Sequence, residues 1–142
     1  MLWRMENEPN VELINNNFED VQDDKYYANA IKWAQSKDIV KGYGGTKLFG
    51  PNDYILRQDL VIILKRYAAY KEKSNDLTID LTDFEDYKNI SQYAENSVKW
   101  AIANGVITGN VLPNGTKTIA PKANTTRAET AAMLMKFINK FK

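Results

Sequence analysis

Apolar residues recur along this chain at the spacing of a single helix face. Tyr27, Ala30, Ile31 and Ala34 stand at i, i+3, i+4 and i+7, which predicts an amphipathic helix. Leu60, Ile63, Leu64 and Tyr67 repeat that spacing, and Thr130, Met133, Leu134 and Phe137 match them further along. Between the stripes lie stretches holding glycine and proline, "YGGTKLFGPND" (43–53) and "NVLPNGTKTIAP" (110–121). These predict turns or short extended pieces. Gly105 falls where the helix carrying Trp100 should stop. The pattern is helix–loop–helix, and the fold class it predicts is all-α.

The pattern occurs twice because the sequence does. "FEDVQDDKYYANAIKWAQSKDIVKG" (Phe18 to Gly42) and "FEDYKNISQYAENSVKWAIANGVITG" (Phe84 to Gly109) share their Phe-Glu-Asp opening, Lys-Trp-Ala and the final glycine. Phe18 and Phe84 are 66 positions apart, Trp33 and Trp100 67, and Arg57 and Arg127 70. A duplicated supersecondary unit of this kind buries its apolar faces against its neighbours. The organisation expected is one repeat over 18–72, a polar acidic linker over 73–83 and a second repeat over 84–142. Residues 1–17 read as the tail of a truncated preceding repeat plus a linker, because "MLWRMENEP" aligns with "ILKRYAAYK" and "MLMKFINKF". The chain is accordingly expected to be cut from a longer protein.

Composition narrows the chemistry. The chain has 142 residues, with 19 Lys+Arg against 18 Asp+Glu, so no net charge pulls it toward nucleic acid or an anionic membrane. No apolar run approaches the roughly 20 residues of a spanning helix. Histidine and cysteine are both absent, which removes Ser-His and Cys-His nucleophile pairs and the common zinc sites. The acidic run from Asn75 to Asp86 lacks the spacing of an EF-hand loop, so it reads as a solvated linker and not a metal site. No cofactor is expected.

These elements together resemble the S-layer homology (SLH) family. "FEDV", "AIKWA", "DIVKGY", "GPND" and "LRQD" carry the likeness in the first copy, and "FEDY", "SVKWA", "GVITG", "NGTKTIAP" and "TRAE" carry it in the second. The resemblance covers nearly everything from Phe18 to Phe141. It implies tandem helical repeats packed as a pseudo-threefold assembly, with ligand grooves between neighbouring repeats. By resemblance, Arg127 and Arg57 face the ligand, with Asp86, Asp20, Trp100, Trp33, Tyr43, Gly109 and Gly42 lining the grooves. Leu56, where the family prefers Thr, Asp59, Asp38 and Tyr87 depart from the pattern, mostly in the first copy.

Each of these residues also has a plainer reading. Thr126 and Glu129 have the spacing of a capping box, which accounts for both without a ligand. Arg127 sits at a helix start, where the macrodipole favours anions over cations. Either it is solvated or ion-paired, or its planar fork shares a carboxylate with the free helix amides. Asp20 and Asp86 either accept bonds from sugar hydroxyls or cap the turn that follows. Trp33 and Trp100 offer faces for stacking, although tryptophan at helical spacing more commonly packs in a core. Tyr43 is the better-placed stacking candidate, with Asn110 at its position in the second copy.

The function implied is a non-catalytic anchor that holds an exported protein on the bacterial envelope. Its partner would be secondary cell-wall polysaccharide, with pyruvate as the acidic group, or a peptidoglycan-linked glycan. Neither nucleic acid nor a membrane span is expected. Self-association through the truncated repeat is a further expectation. The alternative is a helical-repeat protein–protein scaffold at the cell surface.

Overall fold

A computed structural model describes residues 1–141; Lys142, the last residue of the expected second repeat, lies outside them. The described chain is mostly helical. Five α-helices follow in order: α1 Leu2–Met5, α2 Ala28–Ser36, α3 Arg57–Tyr70, α4 Glu95–Ala103 and α5 Arg127–Phe141. Two 3₁₀ turns, Tyr87–Asn89 and Gln92–Ala94, lead into α4. The only assigned sheet among the described residues is the antiparallel pair β1 (Asn110–Val111) and β2 (Lys117–Thr118), in register Asn110 to Thr118.

The chain forms two compact units, Met1–Asp53 and from Tyr54 onward. The division cuts the first repeat between its loop and its second helix, because α3 packs against α4 and α5. In the first unit, Phe18, Val21, Ala28 and Ile31 form the buried cluster, flanked by Tyr27 and Phe49. The Phe18 and Phe49 rings lie 5.3 Å apart. The short α1 packs on α2.

In the second unit the expected stripes point inward. Leu60, Leu64 and Tyr67 of α3 are buried, as are Met133, Leu134 and Phe137 of α5. Tyr67 meets Phe137 at 5.6 Å, and Trp100 of α4 stacks on Phe141 at 5.6 Å with a 7° tilt. The linker is tied down more closely than its polarity predicts. Leu81 is buried, and Asn75 and the buried Asn104 exchange amide hydrogen bonds of 2.8 and 3.0 Å. Gly105 ends α4 in the left-handed region (φ +70°), and its first-copy counterpart Asp38 adopts the same turn at φ 56°.

Candidate functional site

Each copy uses its Phe-Glu-Asp motif to fasten its own loop. Asp20 accepts the backbone N–H of Phe49 at 2.9 Å and that of Gly50 at 2.7 Å. Asp86 accepts Ile119 N–H at 2.8 Å and Ala120 N–H at 2.7 Å. The phenylalanine two residues earlier presses on the glycine that ends each segment. A Cβ at Gly42 would lie 2.5 Å from the Phe18 ring and 2.4 Å from Leu48 O, and one at Gly109 would lie 2.7 Å from the Phe84 ring. Both glycines also have positive φ, +66° and +71°. Asp20 and Asp86, with Phe18 against Gly42 and Phe84 against Gly109, therefore hold each copy's loop. The Phe49 and Gly50 amides hold the Asp20 carboxyl below its ordinary range.

The two tryptophans are each 1% exposed. Both rings are enclosed by their neighbours. Tyr43 is half exposed, and its hydroxyl donates to Asp53 at 2.7 Å.

The two arginines sit at matching helix starts with different surroundings. Arg57 opens α3, and the loop of the second copy meets that end. Arg57 N–H donates to Ala123 O at 2.9 Å and Gln58 N–H to Pro121 O at 3.0 Å, beside an antiparallel bridge between Leu56 and Asn124. Those carbonyls satisfy amides that a side-chain cap would otherwise take, which explains how Leu56 can stand at the N-cap. The Arg57 side chain is only 15% exposed and reaches Glu129 at 3.6 Å, while its Nε has no protein partner among the described residues.

Arg127 opens α5 and is exposed, with no ion pair among the described residues. Its helix is capped from within. Thr126 Oγ accepts Glu129 N–H at 3.2 Å, and Glu129 accepts Thr126 N–H at 2.8 Å, the reciprocal box expected from the sequence. The Thr126 amide, then its hydroxyl, then Arg57 keep the Glu129 carboxyl below its ordinary range. No protein acceptor among the described residues meets the N–H of Arg127 or Ala128. An exposed guanidinium thus lies beside uncommitted helix amides, an arrangement suited to an anion.

A second group, without a signature in the residue pattern, lies where the second copy meets the start of α3. Gln58, 1% exposed, donates to Ser91 Oγ at 3.0 Å and Tyr93 OH at 2.9 Å, and accepts Ser91 N–H at 3.0 Å. Tyr93 donates in turn to Asp59 at 2.9 Å, and Lys122 Nζ donates to Ser91 Oγ. Burial, then the Asp59 carboxylate, pushes the Tyr93 hydroxyl's pKa up. Asp86, Asn89 and the 120–123 loop line a shallow recess nearby. No cluster of three or more acidic groups among the described residues is suited to a metal, and no helix is long and apolar enough to cross a membrane.

The S-layer homology domain model matches residues 17–61 and 83–131, about two thirds of the chain. An amylopullulanase of Thermoanaerobacterium thermosulfurigenes is 36% identical over 129 residues, 91% of this chain. Exoglucanase XynX of Acetivibrio thermocellus is 37% identical over 133 residues, also 91% of the chain. A surface-layer 125 kDa protein of Lysinibacillus sphaericus is 31% identical over 122 residues, 86% of the chain. The chain spans only 7%, 11% and 10% of the length of these relatives, respectively.

Proposed function

The chain belongs to the S-layer homology domain family, a non-catalytic cell-wall anchoring module, and we propose that it binds an acidic secondary cell-wall polysaccharide at the envelope. The enzyme names among its relatives belong to much longer chains, of which it matches a small part. The observation that carries the reading is the start of α5, where Arg127 is exposed and, among the described residues, unpaired beside two amides without an acceptor. A ketal-linked pyruvate on the glycan would place a carboxylate there, matching the planar fork of a guanidinium.

In this reading Arg127 carries the principal ligand contact. Arg57 serves to hold the seam through Glu129. Asp20, Asp86, Gly42 and Gly109 keep the loops in place and do not touch the sugar. Several weak contacts along one chain would multiply into a long residence on the wall.

The test is a pull-down with purified cell wall before and after the secondary polysaccharide is stripped. Binding lost on stripping supports the reading. Equal binding to stripped wall overturns it. If neither wall is bound by the wild type, the protein–protein scaffold is favoured instead.

A further inference from the structure

Tyrosine normally buries its ring and leaves the hydroxyl near water. Tyr93 does the reverse. It is 66% exposed, yet its hydroxyl is held at 2.9 Å by both the Gln58 amide and the Asp59 carboxylate. Tyr26 and Tyr54 are more exposed, at 90% and 82%, but among the described residues neither hydroxyl is hydrogen-bonded. Exposure alone is therefore common on this surface; Tyr43 shares a carboxylate tether, through Asp53, and Tyr93 adds to its own the donor of a buried amide.

The tether comes from a buried residue. Gln58 spends its whole amide on Ser91 and Tyr93, and the second copy has Ala128 in its place, so the device belongs to this seam only. A buried amide is retained at a cost unless fully satisfied, and here the satisfied network fixes a ring that points into solvent. Fixing a side chain beforehand removes an ordering cost from any later binding event. Lys122, bonded to the same Ser91, adds an ammonium to this network.

We propose that Tyr93 is a stacking face for one sugar of the bound glycan, that Gln58 is the positioning residue that holds it, and that Lys122 meets an acidic substituent on that sugar. This inference rests on the wall-glycan reading above. It adds a contact that the arginines do not supply, namely recognition of a sugar's apolar ring face.

The experiment titrates purified, pyruvate-bearing wall polysaccharide into the whole chain. Tyr93→Leu should lower affinity about five- to tenfold, with the melting temperature little changed. Tyr93→Phe keeps the ring but loses both tethers, and should lower affinity about two- to threefold. Gln58→Ala should resemble Tyr93→Phe and add nothing further when combined with Tyr93→Leu, a non-additivity that a purely structural role would not produce. Saturation transfer from the Tyr93 ring protons to the sugar should be present in the wild type and absent for Tyr93→Leu. Because Gln58→Ala leaves Ser91 N–H without its acceptor, the two tyrosine variants carry the test if that variant misfolds.

Wild-type affinity for Tyr93→Leu, with binding still dependent on Arg127, overturns this proposal and leaves the anchoring reading intact. Absence of binding by the wild type overturns both.

Discussion

The helix starts of α3 and α5 occupy the same place in two copies of one motif, yet they are finished differently. At α3 the N-cap is Leu56, and carbonyls of Pro121 and Ala123 from the other copy take the first amides. At α5 the cap is local, Thr126 with Glu129, and among the described residues the first amides have no acceptor. Arg57 is drawn inward to Glu129, whereas Arg127 faces solvent. A duplicated unit must make a joint and also offer a surface. The two starts divide those tasks.

The parts both copies share should respond alike and most strongly. Gly42→Ala and Gly109→Ala each force a Cβ into a phenylalanine ring and a carbonyl at positive φ. Each should cost about 2–4 kcal/mol, read from urea unfolding. A large difference between the two would show that the scaffolds are not equivalent.

The arginines should then separate. Arg57→Ala removes a mostly enclosed side chain and strands Glu129's second oxygen, costing about 1–2 kcal/mol of stability. Arg127→Ala should change stability by less than about 0.5 kcal/mol, as exposed positions do. Equal losses would erase the distinction between joint and surface.

The caps give a finer version of the same contrast. Thr126→Ala should destabilise by about 1 kcal/mol through loss of the capping box. Leu56→Thr should gain less than about 0.5 kcal/mol, since the α3 amides already have carbonyl partners.

Acid sharpens the comparison least but tests its electrostatics. The Asp20 and Glu129 carboxyls are both held below their ordinary values in the fold. Their contribution is present above the unfolded-state pKa values of about 4 and is lost as pH falls through the lower folded values. Stability should therefore decline below about pH 4, and Asp20→Asn should flatten part of that decline. An unchanged profile for Asp20→Asn would count against the loop clasp.

Much of this was legible in the residues. The duplication, the α3 and α5 stripes and the Thr126–Glu129 box all depend on local spacing, which a sequence displays directly. The aspartate clasps were not legible, because the amides they hold lie 29 to 34 positions away and carry no side-chain signature. Trp33 lies off the Tyr27–Ala34 stripe yet is 1% exposed, since α2 is enclosed on more than one side and helical spacing reports only one. Gln58 and Tyr93 escaped notice for a related reason. A polar residue in a helix's first turn looks solvated until its partner, 33 to 35 positions on, closes over it.

The central claim is that an open guanidinium at the start of α5 holds an acidic group on the wall glycan. Calorimetric titration of the purified polysaccharide, with and without its pyruvate, into the wild type and Arg127→Ala tests it most directly. The account predicts binding by the wild type to the pyruvate-bearing polymer, weakened at least about tenfold by removing either the pyruvate or the guanidinium. Equal affinity across all four combinations would contradict it.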